Sequence, residues 1–365
     1  MSDTTIITFG EVMGRLMPPE HLRFLQVMPG SLEFTFGGAE ANVAVSLARL
    51  GRAVRFVTAL PPGPVSAACV EDLRRHGVNT DAIVRDAEGR FGLYFVERGS
   101  NQRPSRVVYD RAGSSVSVAE PGIYDWPRIF ADARWFHTTG ITPAISSTAA
   151  DASLLALKAA RSAGLTTSMD LNYRGKLWRW EPGTEPAALA GRVMREHLPL
   201  VDVVIANESD AKDVLGIEAE GSDIDSGRLE TGRYPEVARA IIEQFPSVSK
   251  VAITLRASVS ADHNSWGAML YDRDTSEATF APVRDGKFHP WQITDIVDRV
   301  GGGDAFGAGL IYALTSEDLL TPQQVLEFAS AASCLAHTVL GDFNYTSAAE
   351  VRALMESAGT GRVVR

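Results

Sequence analysis

Short runs of β-branched and apolar residues recur along this chain with helix-length amphipathic stretches between them, and that alternation narrows the folds open to it more than any other feature. The strand-like runs fall at residues 4–9, 53–59, 135–138, 166–170, 201–206 and 250–255. Helical periodicity predicts helices over residues 39–50, 148–163 and 186–196. A helix between successive strands is what a parallel pair requires, because the chain must return to the same end of the sheet. The pattern therefore predicts an α/β fold of βαβ units around a mostly parallel central sheet. Residues 83–110 and 266–280 depart from it, each bringing strands together with no helix between them. The first predicts a small separate β layer, which over a sheet forms either a lid on a ligand crevice or an ordinary edge hairpin; periodicity favours neither. Residues 216–235 are polar and acidic and contain glycine, the signature of a surface insertion between helices.

The 365 residues, 45% of them apolar, suffice for one large domain spanning residues 1–365. A formal net charge of -10 disfavours a nucleic-acid or anionic-membrane surface. An anionic ligand would then need a local cationic site. Cys69 and Cys334 are far apart in apolar helical stretches, which fits neither a disulfide framework nor a thiolate metal site. The seven histidines show no ligand spacing, so no metal is assigned to them. The chain enters a strand almost at once, with no basic flank and apolar run before it and no later run of membrane-spanning length. The expectation is a cytoplasmic protein.

The chemistry concentrates near residue 300. Residues 291–298 have strand character, Gly301, Gly302 and Gly303 follow, and Asp304 opens a helical pattern. Glycines at a helix start let backbone N–H groups converge on an anion, and the helix dipole adds positive potential. A carboxylate directly after such a hole suits a base that takes the proton of a hydroxyl attacking a phosphoryl group. The segment also reads as a tight turn in which Asp304 merely complements the helix dipole. No Lys-Ser/Thr follows the glycines as in a P-loop, and the cluster is not in the first βα turn as in a dinucleotide fold.

Asp298-Arg299-Val300-Gly301-Gly302-Gly303-Asp304-Ala305-Phe306 resembles the Asp-Thr-x-Gly-Ala-Gly-Asp-x-Phe signature of the PfkB, or ribokinase-like, carbohydrate kinases. Their first signature is similar to Phe36-Gly37-Gly38-Ala39-Glu40-Ala41-Asn42-Val43-Ala44 with Leu47-Ala48-Arg49-Leu50-Gly51. Within the family, residues 170–178, with Asp170, Asn172, Arg174, Leu177 and Trp178, look like a stretch of 2-keto-3-deoxygluconate kinases, as do residues 341–344. The resemblance implies a three-layer sandwich with a β lid from roughly residues 10–36 and 81–112. It implies ATP and Mg²⁺ as cofactors, with transfer of the γ-phosphate to a keto sugar acid, and a homo-oligomeric assembly. By the same likeness Asp304 stands at the reacting hydroxyl beside the glycines, and Gly37, Gly38 and Asn42 lie along the sugar. Tyr94, Tyr109, Arg111 and Asp342 complete the sugar contacts, with Arg111 the partner for a carboxylate. Arg174, Asn207, Asp210, Thr254 and Arg256 fall on the nucleotide side.

Outside these signatures the chain departs from the family as well. Thr254-Leu255-Arg256 stands for Thr-Leu-Gly, Asp210 stands for the Glu of an Asn-x-x-Glu element, and residues 60–64 lack a Gly-x-x-Gly-x-Asp pattern. On the residues alone, Arg174 also reads as a surface ion pair, Tyr94 and Tyr109 as a cross-strand packing pair, and Asp342 as a turn residue. Fructokinase, ribokinase and 5-dehydro-2-deoxygluconokinase are the alternatives within the class. A non-catalytic sugar or nucleotide sensor is the alternative outside it.

Overall fold

A computed structural model describes residues 5–207, 209–217 and 232–357. In chain order the first strands are β1 (Thr5–Phe9), β2 (Met13–Met17), β3 (Glu33–Gly37), β4 (Ala53–Val57), β5 (Leu93–Glu97) and β6 (Arg106–Asp110). They are followed by β7 (Ala133–Thr139), β8 (Thr166–Asp170), β9 (Val203–Asn207), β10 (Lys250–Ser258), β11 (Asn264–Asp272) and β12 (Glu277–Ala281). The large sheet runs β12-β11-β10-β9-β8-β7-β1-β4, parallel from β10 through β4 and antiparallel at β11 and β12. Antiparallel pairing enters where the 266–280 stretch lacks a helix, as a hairpin requires.

Two apolar clusters, one on each face of this sheet, make the three layers. One contains Leu47, Leu73, Phe306, Leu310 and Phe328, from helices Ala39–Arg49, Pro64–Arg75, Gly302–Leu314 and Pro322–Ala336. The other contains Leu157, Leu189 and Ile241, from helices Ser147–Ser162, Pro186–His197 and Tyr234–Gln244. Both faces of the parallel strands are thereby buried, which is why those strands are nearly continuous in apolar residues.

The remaining strands form a second sheet in the order β3-β2-β5-β6. Its inner face carries Met13, Met17, Tyr94 and Val96 in a small cluster of their own. Along β6 the alternation turns Arg106, Val108 and Asp110 to solvent and leaves Val107 and Tyr109 facing inward. This is the lid of a ribokinase-like fold.

Several boundaries differ from expectation. The strand expected over 291–298 is only Trp291–Ile293, because Asp295 takes a left-handed φ of 56° and breaks the extended run. On the lid's second arm, strand structure begins at Leu93; Val84 instead bridges Ala59 beside the large sheet. Pro235 sits in the first turn of helix Tyr234–Gln244, where its missing N–H costs nothing. The rest of the expected insertion, residues 218–231, lies outside the described residues, as does Thr4. Among the described residues no helix is long and apolar enough to cross a membrane. Cys69 is buried and Cys334 half-buried, and both are free thiols.

Candidate active site

All the parallel strands end at one edge of the large sheet, and the lid lies over that edge. Between them is a cavity of about 550 Å³. Ligands of open α/β folds bind at this edge because the loops leaving the strands can carry polar groups there.

The helix Gly302–Leu314 points its first turn into the cavity. Gly301 caps it with φ 85°, a left-handed conformation, and a Cβ there would stand 2.7 Å from the Asp342 carbonyl oxygen. Gly302 is pressed on the His337 ring, whose Cε1 would lie 2.7 Å from an added Cβ. Nothing stands within 4 Å of the Cβ position at Gly303. The three glycines thus serve three different needs: a backbone angle, a close ring, and open space over the helix start.

Asp304 follows in the same turn. Burial pushes its pKa up to about 7, with Asp342 and Glu40 adding to the rise, while a hydrogen bond from Asn42 and the charge of Arg174 oppose it. Asn42 Nδ2 donates to Asp304 at 2.6 Å and to Asp342 at 3.3 Å, and its Oδ1 accepts the Gly38 N–H at 3.1 Å. One amide therefore sets the spacing of two carboxylates. Gly37 does not line the cavity; it lies beneath Asp342, and a Cβ on it would stand 2.6 Å from the Tyr94 hydroxyl oxygen. Its expected place along a ligand becomes a place behind Asp342.

Asp342 and Asp298 share one partner. Arg15, fully buried on β2, donates to Asp342 at 2.6 Å and also binds Asp298. Burial alone would lower the Arg15 pKa, yet the two carboxylates hold it above its ordinary value. Burial raises the Asp342 pKa while Arg15 draws it down.

On the lid, Tyr94 and Tyr109 are direct cross-strand partners, their rings 6.2 Å apart. The Arg111 guanidinium lies 5.6 Å from the centre of the Tyr109 ring and pairs with Glu11 in the connection between β1 and β2. Its Nε is buried without a hydrogen-bond partner. Glu40 is buried too, and its Oε1 accepts from Thr139 N at 3.1 Å and from the hydroxyls of Thr139 and Thr142 at 2.7 Å each.

Arg174, Asn207, Asp210, Thr254 and Arg256 line the opposite half. The Arg174 guanidinium donates to its neighbour's carbonyl and is exposed to the cavity. Asp210 accepts the Tyr173 N–H at 3.1 Å and the Asn207 N–H at 2.9 Å, so its carboxylate clamps the loops after β8 and β9 together. Burial, then Asp210 and Asp304, raise the Asp170 pKa well above the carboxylate range.

The structure thus brings every expected site residue except Gly37 to one cavity. Glu11, Arg15, Glu40, Asp170, Arg299 and His337 were not singled out from the sequence. Glu40, Asp170 and Arg299 lie inside the quoted motifs, where a charged residue at a strand end or helix start was the available signal. Glu11, Arg15 and His337 act through partners distant in sequence and left none.

Residues 3–347 match the pattern of the pfkB family carbohydrate kinases. The chain is 34% identical over 358 residues to a 2-dehydro-3-deoxygalactonokinase of Haloferax volcanii, covering 98% of each protein. It is 31% identical over 340 residues to a 2-dehydro-3-deoxygluconokinase of Bacillus subtilis, covering 93% of this chain and 91% of that one. The crystal structure of a 2-dehydro-3-deoxygluconokinase from Thermotoga maritima superposes with a TM-score of 0.86 at 42% identity, covering 97% of this chain and 99% of the other.

Proposed function

This chain belongs to the pfkB family of carbohydrate kinases, enzymes that move a phosphoryl group to a sugar hydroxyl, and from that premise we propose that it phosphorylates a 2-keto-3-deoxy sugar acid with ATP. 2-Keto-3-deoxygluconate is the first candidate, and its galactonate epimer stands beside it because relatives are named for each. One observation carries the reading. A single cavity holds a carboxylate poised near neutrality at a glycine-lined helix start and, on the lid, a guanidinium suited to a substrate carboxylate.

In this reading the sugar lies under the lid, its carboxylate at Arg111 and its hydroxyls at Asn42 and Asp342. ATP lies along the Arg174, Asn207 and Thr254 side, with its γ-phosphate at the N–H groups of the helix start. The sugar hydroxyl oxygen forms a bond to the γ-phosphorus as the bond to the β,γ-bridging oxygen breaks, leaving ADP. The hydroxyl proton passes to Asp304. In a loose phosphoryl-transfer transition state that proton leaves late, so positioning matters more than basicity. The helix-start N–H groups meet the charge spread over the transferring phosphoryl oxygens. Mg²⁺ enters as part of the nucleotide substrate, and the carboxylates of Asp170 and Asp210 face the half of the cavity where the metal-bearing phosphates would lie.

The test is a coupled ADP-release assay with MgATP against sugar acids, ketohexoses, pentoses and nucleosides. The reading expects the largest kcat/KM on a 2-keto-3-deoxy sugar acid. A preference for fructose or ribose would replace it with the neutral-sugar alternative.

A further inference from the structure

Two hairpins rise from opposite halves of the cavity and touch at their tips. Strands β5 and β6 bring Tyr94, Tyr109 and, just past β6, Arg111 to the cavity, and at their far end they are joined through residues 98–105. There the backbones of Ser100 and Arg103 exchange hydrogen bonds at 3.0 and 2.9 Å, which leaves Asn101 and Gln102 as a two-residue turn. Asn101 takes a left-handed φ of 52°, as such a turn asks of its first residue. Strands β10 and β11 pair as far as Ser258 with Asn264, so residues 259–263 form the other tip, while Thr254 further down β10 lines the nucleotide side.

Asn101 is held at both its backbone groups. Its carbonyl accepts the Ala261 N–H at 2.7 Å, and its N–H donates to Asp262 Oδ2 at 3.1 Å. The other carboxylate oxygen of Asp262 accepts the Ser260 hydroxyl at 2.6 Å, which orients the group toward the lid. Gly99 lies flush on the same tip: a Cβ on it would stand 2.9 Å from the Ala261 methyl. The Asp262 carbonyl in turn accepts the Ile296 N–H at 3.0 Å, in the segment that runs to Gly301. Asp262 therefore holds the lid with its side chain and the approach to the helix start with its main chain. The Ser260 hydroxyl and the Asn101 N–H hold its carboxyl below the usual range, as bonds to an ionised acceptor do. Asp262 is half-buried, and a polar contact of this size can open and re-form while the sheets stay folded.

We propose that Asp262 is a positioning residue that latches the lid: through Asn101 it ties the β5–β6 hairpin to the nucleotide-side hairpin and so keeps Tyr94, Tyr109 and Arg111 over the sugar. The proposal rests on the kinase reading for what lies beneath the lid, but the latch is made by the chain alone and needs no turnover to be seen. The two hairpins serve the two substrates, so a substrate that steadies its own hairpin favours the closed latch. Sugar and nucleotide should then strengthen each other's binding by the same factor.

The experiment is hydrogen exchange of the β5–β6 amides, with steady-state kinetics, on the full chain and on Asp262→Ala and Asp262→Asn. Asp262→Ala should speed exchange in the lid at least about threefold, the low end for a half-exposed hydrogen bond to a charged group. The KM for the sugar acid should rise at least about threefold with kcat within about twofold, since Asp304 and the glycines are untouched. Asp262→Asn keeps an oxygen for the Asn101 N–H and should recover part of both. A general loss of stability would instead speed exchange across the large sheet and lower the apparent kcat at unchanged KM, and that result overturns the latch. So does unchanged exchange in the lid, or an unchanged sugar KM in an active enzyme. If Asp262→Ala does not fold, Ser260→Ala, which frees the carboxylate to turn, carries the same expectation at smaller size. Faster exchange confined to the lid, in a protein that releases no ADP with any sugar, supports the latch and overturns only the kinase reading.

Discussion

Solvent pH decides first whether Asp304 holds a proton. Its pKa near 7, set mainly by burial, means that a base at this position works only above neutrality, so kcat/KM should climb through about pH 7 and level off beyond it. The same shift has a stability consequence of opposite sign. The folded-state pKa lies above the unfolded value of about 3.9, so this group's contribution to stability is fully present at low pH and is lost as pH rises through 7. Asp304→Asn should therefore lower turnover by roughly 10² to 10⁴ while raising the melting temperature at pH 8 and leaving it nearly unchanged at pH 4. Near-normal turnover would remove Asp304 from the chemistry. Lower stability at pH 8 would support its other reading, as a helix-start residue. The Arg111 prediction needs its partner, because Arg111→Ala alone leaves the Glu11 carboxylate unpaired. In a Glu11→Gln background, Arg111→Ala should raise the KM for the sugar acid at least about tenfold and leave weak activity on fructose unchanged. An equal loss on both sugars would assign Arg111 to lid packing. Asp304 stands out in the sequence because it sits in a recognisable run, whereas Arg111 lies in no such run and is marked only by likeness to the family's lid. Arg15 carries no mark at all, since its meaning lies in two carboxylates hundreds of residues away.

At the scale of elements, the alternation of strand and helix gave the sheet and its two helical layers, because burial on both faces imposes the apolar runs that make such strands visible. The lid was legible only as an excess of strand. Its order brings β2 beside β5 in parallel, a pairing across a long stretch of chain that no local pattern encodes. The helix start offers a clean separation of scaffold from chemistry. Gly303 has open space at its Cβ position, and Ala is better than Gly in a helix by about 0.5 to 1 kcal/mol, so Gly303→Ala should fold at least as stably as wild type. The added methyl would point into the space proposed for the phosphoryl group, and ADP release should fall by more than about tenfold with little change in sugar KM. Unchanged turnover would place the transferring group elsewhere.

For the molecule as a whole, the lid is joined to the large domain by charge as well as by chain. Removing the cation with Arg15→Met should cost about 3 to 5 kcal/mol in urea titration, since it leaves two carboxylates buried together, and adding Asp342→Asn should return part of that. A loss below about 1 kcal/mol would mean that the pair behaves like an exposed one and that the lid does not depend on it. The arrangement also imposes an order of events during synthesis. Arg15 leaves the ribosome with the first strands, whereas its partners Asp298 and Asp342 lie 283 and 327 residues downstream. The lid strands are all synthesised once Asp110 is made, yet seating β2 before the C-terminal part follows would bury a cation with nothing to meet it. A nascent chain should therefore carry its lid unseated until the C-terminal carboxylates arrive, so that the catalytic cleft closes last and no ribosome-bound fragment lacking residues 298–342 can present a finished site.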